Sequence, residues 1–303
     1  MTSSWHIAVL GPGGVGGLLG GLLSRAGHDV EFVATPATAA ALNGHGLSVH
    51  SRVFGDFTVP ARAVESLAKP VDACLVTVKA TGLDAALERV SPAAVSGAVV
   101  VPFLNGLDHL AVLRNRYPRA DVVAATISVE ATRVSPGVIE HTSPFANVEI
   151  AGADEFAAVL RASGPPVSVV DGERQVLWRK LARLAPLALL TSYAEAPIGV
   201  VRDRYADLLR DVVQEVATVA RADGADVSDD DALQFLLAAP AAMKSSMQRD
   251  IESGRSFELD AIGGAVLRAA ERHEVEVPST RRLVEAIVKA SIRSGPASGS
   301  GAG

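Results

Sequence analysis

Two rhythms of apolar and polar positions divide the chain. In the first half, Ile7-Ala8-Val9-Leu10 is an unbroken apolar run that predicts a short strand; a glycine turn follows, and Val15 to Arg25 reads as a helix ended by Gly27. Val30 to Ala34 predicts the next strand. Val71 to Val78 and Ala98 to Phe103 predict strands covered on both faces, because their apolar content is nearly continuous. Val122 to Val129 and Val167 to Val170 are further strand candidates. Strands separated by helical crossovers form a parallel, doubly wound α/β sheet of Rossmann type.

After about Asp171 the rhythm becomes helical. The pattern predicts helices over Arg174–Ser192, Asp203–Asp223, Asp229–Ala239, Ala241–Ser253, Glu258–His273 and Ser279–Ile292, punctuated by Pro197, Gly224, Pro240, Gly254 and Pro278. The expected organisation is a dinucleotide-binding domain over residues 1–171, an all-helical domain for substrate binding and dimerisation over 172–293, and a disordered Ser/Gly/Pro/Ala tail over 294–303. No internal repeat is visible. Two such lobes would leave a cleft, where small-molecule sites tend to lie.

Composition narrows the function. Of the 303 residues, 49% are hydrophobic and 20% charged, ample for a buried core. A net charge of −6 argues against a nucleic-acid or acidic-membrane binder. The single cysteine, Cys74, excludes an intramolecular disulfide framework and a cysteine-cluster zinc site, and suits a reducing cytoplasm. None of the seven histidines stands in a recognisable ligand pair, so no metal is expected. The uncharged stretch Ile7–Ser24 holds seven glycines and no Lys or Arg precedes it, which argues against a signal peptide or a membrane span. The expectation is a cytoplasmic protein that forms a homodimer.

Gly11-Pro12-Gly13-Gly14-Val15-Gly16 fits G-x-G-x-x-G between a strand and a helix. Gly11 permits the tight turn, Gly13 lets the backbone approach a pyrophosphate, and Gly16 lets helix and strand pack closely. The helix N-terminus offers N–H groups and partial positive charge to phosphates. The choice between NAD and NADP stays open. An acid at the tip of the second strand would bind the ribose of NAD and an arginine would suit the phosphate of NADP, but Thr35 stands there. Glu31 lies too early and reads as a solvent-facing strand residue.

Further motifs accompany this turn: Val78-Lys79-Ala80, Leu104-Asn105-Gly106, Trp178-Arg179-Lys180-Leu181, Ser245 to Ile251, and Glu258-Leu259-Asp260 with Gly263. In this order and spacing, from about His6 to Ile292, the chain resembles the ketopantoate reductases (2-dehydropantoate 2-reductases). The resemblance implies a Rossmann domain joined to a helical domain, and reduction of ketopantoate to pantoate with NADPH on the way to pantothenate. It places the catalytic lysine at Lys180, cofactor contacts at Lys79, Asn105 and Glu258, and substrate contacts at Asn105, Lys180 and Ser246.

The residues carry their own reading. Positions 180, 184, 187 and 191 share one helical face, so Lys180 projects from an apolar stripe of Leu184, Leu187 and Thr191. A partly desolvated lysine is a better proton donor near neutrality, and an ammonium stabilises the negative charge that hydride builds on a ketone oxygen. A lysine that snorkels to water fits the same pattern. Lys79 and Asn105 each follow a strand, at the carboxyl edge where open α/β sheets bind ligands, although a solvated loop lysine and an Asn-Gly turn fit as well. Glu258, with Ser256 as helix cap, would also serve the helix dipole, and Ser246 could be an ordinary helix residue.

Two departures from the family stand out. Its asparagines four and eight residues after the lysine are Leu184 and Ala188 here, and its basic residue near the second strand's end is Thr35. A more apolar 2-oxo acid than ketopantoate is therefore an alternative substrate. A dinucleotide-binding sensor without catalysis is an alternative of another class, and a β-hydroxyacid-type reductase is a third.

Overall fold

The computed structural model describes residues 4–294. The chain divides into two compact units, one ending at Lys180 and the other starting at Leu181. The division falls inside a helix. The expected tail lies beyond the described residues, apart from Ser294, which closes the last helix.

In chain order the first unit contains β1 (His6–Leu10), α1 (Gly14–Arg25), β2 (Asp29–Val33), α2 (Pro36–His45), β3 (Leu47–Ser51), β4 (Phe57–Val59), β5 (Arg62–Val64), β6 (Ala73–Val76), α3 (Leu83–Leu87), β7 (Val99–Pro102), α4 (His109–Arg116), β8 (Asp121–Val122), β9 (Ala125–Ser135), β10 (Val138–Ile150), α5 (Asp154–Ala162) and β11 (Val167–Val169). Helix α6 (Glu173–Ala194) begins here and ends in the second unit. Six strands form a fully parallel sheet in the order β5-β2-β1-β6-β7-β8. Numbered by their succession in that sheet, this is 3-2-1-4-5-6, the dinucleotide-binding order, with its switch point between β1 and β6. Alternate residues of β1 enter opposite cores: Ile7 and Val9 pack on the side of α1, Ala8 and Leu10 on the side of α3 and α4.

A second sheet was not anticipated. Its order is β11-β10-β3-β4, with β9 antiparallel to β10. The segment Val122–Val129, expected as one strand of the parallel sheet, divides: β8 ends at Val122, and β9 starts at Ala125 in the second sheet. Val167–Val169 is a strand as expected, but of this second sheet. The glycines of α1 explain how one thin helix serves both layers. A Cβ on Gly20 would lie 2.4 Å from Phe32 of β2, and one on Gly17 would lie 2.4 Å from Ile139 of β10. Side chains at these positions would push the sheets away. The stretch Ile7–Ser24 is thus β1 plus a short core helix, and among the described residues no single helix is long and apolar enough to cross a membrane.

The second unit is helical: α7 (Ile198–Arg204), α8 (Ala206–Ala222), α9 (Asp229–Ala238), α10 (Ser246–Glu252), α11 (Ala265–Arg272) and α12 (Pro278–Ser294). Three expectations are corrected. The helix expected over Asp203–Asp223 breaks at Tyr205, whose ring meets Tyr193 edge-on with centroids 6.0 Å apart. The helix expected from Ala241 starts only at Ser246, because the carbonyls of Ala241 and Met243 accept the N–H groups of Gly199 and Ile198 at the start of α7. Before α11 the chain makes a wide helical turn over Asp260–Gly264, and Ser256 lies in coil outside it; the first helical bond there runs from Ile262 N–H to the carbonyl of Glu258, 3.0 Å.

Candidate active site

The glycine turn sits at the sheet's switch point. Gly11 has φ +88, and a Cβ there would lie 2.4 Å from Val78 Cγ1, so only glycine fits. Gly16 faces the next strand: its Cβ would lie 2.2 Å from Thr77 Oγ1 and 2.5 Å from the Gly11 carbonyl oxygen. Thr77, the residue after β6, holds that turn by donating to the carbonyls of Leu10, 3.0 Å, and Gly11, 2.8 Å. Pro12 is buried and Val15 packs on the core. A Cβ added at Gly13 would meet nothing closer than the Gly11 carbonyl oxygen at 3.9 Å, so the turn is uncrowded at that residue. No side chain caps α1 and its first turn holds no acid. Helix N–H groups at such a turn suit a pyrophosphate, and the residues present fit a dinucleotide.

Beyond the turn, Gly11 N–H bonds to the carbonyl of Val33 at the end of β2, 3.0 Å, and Thr35 then opens α2 with an exposed side chain. The Thr35 hydroxyl donates to Thr38 Oγ1, 3.2 Å. Glu31 is not solvent-facing as expected: it is 5% exposed and pairs with Arg62 Nε at 3.1 Å. Its partner stands directly across on β5, so its carboxylate is engaged there and is no ribose ligand at the tip. Two arginines that local sequence reading missed do reach that tip. Arg89 donates to the carbonyl of Ala34, and Arg133 donates to Thr38 Oγ1.

Lys79 is exposed at the turn after β6, and Asn105 is half-buried in the turn after β7, where Gly106 takes φ +91. Both therefore lie at the carboxyl edge of the parallel sheet, on the same side as the glycine turn. Four residues after Asn105, His109 starts α4. It is 5% exposed, and neither ring nitrogen has a hydrogen-bond partner. Burial pulls its imidazole down to about 4, against the attraction of the Asp108 carboxylate and helped by the Lys180 ammonium. An imidazole kept neutral next to a lysine adds no second positive charge there. No motif announced it, because a single histidine after an Asn-Gly turn carries no pattern.

Lys180 lies half-buried on α6. Helices α4 and α6 are pinned side by side by the bidentate pair of Arg114 with Glu173, and Leu177 shares the core that holds Leu110 and Leu113. The Lys180 charge acts on His109, which places the lysine toward the His109 end of α4. Downstream on the same face, Leu184 is half-buried and Leu187 and Thr191 are buried, as the stripe predicts.

Within the second unit, Ser246 is exposed in the first turn of α10, and the buried serine is its neighbour. Ser245 caps α10 by accepting from Gln248 N–H, 3.0 Å, and its hydroxyl bonds Thr191 Oγ1, 2.9 Å. The S-x-x-Q spacing of a capping box was the signal available for it. Glu258 is buried. Cys74 is fully buried in β6, and burial pushes its thiol up to about 12, which makes it inert packing.

Comparison with known proteins agrees along the chain. Residues 7–154 match the family model described as ketopantoate reductase PanE/ApbA, and residues 172–290 match the model of its C-terminal region. The 2-dehydropantoate 2-reductase of Caulobacter vibrioides is 32% identical over 96% of this chain and 100% of its own length. That of Mycobacterium tuberculosis is 30% identical over 94% of this chain and 97% of its own. Among solved structures, a PanE/ApbA family ketopantoate reductase from Ralstonia eutropha superposes with TM-score 0.86 at 28% identity, covering 95% of this chain and 99% of that one. D-mandelate dehydrogenase, solved with NADH and anilino(oxo)acetate, shares the fold at TM-score 0.86 and 20% identity, over 95% of this chain and 98% of its own.

Proposed function

The chain belongs to the ketopantoate reductase family, and from that premise we propose that it reduces ketopantoate to pantoate with a nicotinamide dinucleotide, NADPH in preference to NADH. The observation that carries this reading is agreement over nearly the whole chain with relatives named for that one reaction. When bound, the dinucleotide supplies the hydride that converts the ketone carbon into a carbinol.

The chain's own residues supply the rest. Gly11, Gly13, Gly14 and Gly16 let the backbone meet the pyrophosphate, and Lys79 and Asn105 stand at the same edge of the sheet to hold the dinucleotide and orient the ketone. Lys180 donates the proton that the carbonyl oxygen needs as it becomes a hydroxyl, leaving a neutral amine that water reprotonates. Its half-buried position strengthens its field at that oxygen. The family pattern assigns the substrate carboxylate to Ser246 and a cofactor contact to Glu258. With its one cysteine buried, the chain suits a reducing cytoplasm.

The test is consumption of NADPH or NADH with ketopantoate by the purified protein, repeated with Lys180→Ala. General acids contribute about 10²- to 10⁴-fold, so the variant should lose turnover by roughly that factor while dinucleotide affinity is retained. Dinucleotide binding by a wild-type protein that turns over no 2-oxo acid would favour a sensor instead.

A second reading has its own observation. Leu184 and Ala188 remove two amide side chains from the lysine's helix, and Ala188 is fully buried. The half-buried Leu184 side chain suits a 2-oxo acid with an apolar tail, and steady-state rates on branched apolar 2-oxo acids beside ketopantoate decide between them.

A further inference from the structure

The tip of β2 carries no basic residue of its own, yet the fold places two guanidinium groups around it. Arg133, on β9, donates from Nη1 to Thr38 Oγ1 at 3.3 Å across 95 positions of sequence. Arg89, which follows α3, donates from Nη1 to the carbonyl of Ala34 at 3.1 Å and to that of Glu65 at 3.2 Å. Thr35 and Thr38 lie between them, their hydroxyls joined at 3.2 Å. Among the described residues no carboxylate pairs with either guanidinium, and Arg133 is exposed. A surface arginine whose one hydrogen bond goes to a neutral hydroxyl keeps most of its five donors for another acceptor.

The path of β9 ties this cluster to the glycine turn. A Cβ on Gly14 would lie 1.9 Å from the carbonyl oxygen of Ala131, so β9 runs directly against the start of α1. Two residues on, at strand spacing and on the same face, comes Arg133. One strand therefore passes from the pyrophosphate cradle to the end of β2, where this fold seats the adenosine ribose. A group there carrying two negative charges would meet a free guanidinium fork, two hydroxyls, the N-terminus of α2 and the fixed charge of Arg89.

We infer that Arg133 binds the 2′-phosphate of an NADP-type dinucleotide, with Thr35 and Thr38 as hydroxyl donors and Arg89 as a second, buttressing positive charge. This rests on the dinucleotide-binding reading above and assigns its specificity to β9 instead of the β2 tip. The cluster lies wholly within the first unit.

The experiment measures equilibrium binding, without turnover. NADPH and NADH are titrated into the full-length protein and followed by nicotinamide fluorescence, and adenosine 2′,5′-bisphosphate and 5′-AMP are used as competitors. The wild type should prefer the 2′-phosphorylated member of each pair, and Arg133→Ala should weaken that member by about 10- to 100-fold, the worth of hydrogen bonds to a charged group, with NADH affinity within about twofold. Arg133→Lys should restore part of the preference, since it returns the charge without the fork. Thr38→Val gives a second, smaller reduction. An equal affinity of the wild type for NADPH and NADH, or a preference that survives Arg133→Ala, overturns the assignment while leaving dinucleotide binding in place. Failure of the wild type to bind either dinucleotide overturns the reading beneath it as well.

Discussion

Arg62 on β5 reaches the buried carboxylate of Glu31 on β2, Nε to Oε1, at 3.1 Å. The same guanidinium lies 3.6 Å from Asp29 and 3.2 Å from His6 Nε2, so one exposed-side arginine ties three positions on two neighbouring strands. Removing it leaves Glu31 buried without its partner, the costly half of breaking such a pair. Arg62 itself is half-exposed, and solvent screening reduces the effect. Arg62→Ala should lower unfolding stability by about 2 kcal/mol, and Glu31→Gln in that background should recover part of it. Urea denaturation of the two variants checks this; equal stability of Arg62→Ala and wild type would mean the pair contributes nothing.

Gly16 is predicted to tolerate no side chain. Of the two atoms a Cβ would strike, Thr77 Oγ1 could rotate, but the Gly11 carbonyl at 2.5 Å is backbone and belongs to the turn itself. Gly16→Ala must therefore open the turn or lift α1 from the sheet. We expect a stability loss of about 2 kcal/mol from overpacking, and dinucleotide affinity reduced at least about tenfold. Calorimetry on the free and ligand-loaded protein measures both. A folded variant with wild-type affinity would show that the turn is not the cradle.

What the chain revealed in advance, and what it hid, follows from the range of the interactions. Strands β1, β6 and β7 are buried on both faces, so their apolar runs stand out locally, and the glycine turn follows one of them. The second sheet escaped because β3, β4 and β10 mix buried and exposed positions, and β10 also contains Pro144. Its pairing with β9 has register shifts at Val138/Ile139 and His141/Ala146 that no periodicity announces. The candidate site divided the same way. The places of Lys180, Lys79 and Asn105 on their elements were legible locally, whereas the contacts of Arg133, Arg89 and His109 reach across tens of residues.

His109 sets an acid limit on the first unit. Unfolded, its imidazole takes a proton near the ordinary 6.5; folded, burial holds it off until about 4. Between those values the unfolded chain binds more protons, so stability falls as pH drops from 6.5 toward 4 and is fully present above 6.5. The span corresponds to roughly 3 kcal/mol. His109→Leu removes this slope, and it should be neutral or stabilising at pH 7, because it replaces a buried ring with two unpartnered nitrogens. Urea midpoints of both proteins at pH 7, 5.5 and 4.5 isolate the effect, since the carboxylates titrate in each. Parallel curves would show that His109 does not carry the acid sensitivity.

The lysine's helix offers the sharpest test of substrate. Leu184 stands one turn beyond Lys180 on the same face and is half-buried, so on the proposed mechanism its side chain would border the ketone. If ketopantoate is the substrate, the chain orients its hydroxyl with groups other than the two family amides, and Leu184→Asn adds a donor where one is useful. We expect the variant to gain about 1 kcal/mol of transition-state binding for ketopantoate, a several-fold rise in kcat/KM, and to lose a similar factor on a branched apolar 2-oxo acid. If the apolar acid is the natural substrate, the wild type already prefers it, and the same substitution inverts that preference. Ala188 is fully buried, so position 184 is the one to change. Parallel loss on both acids would instead mark Leu184 as packing that holds Lys180 in place, with no part in choosing the substrate.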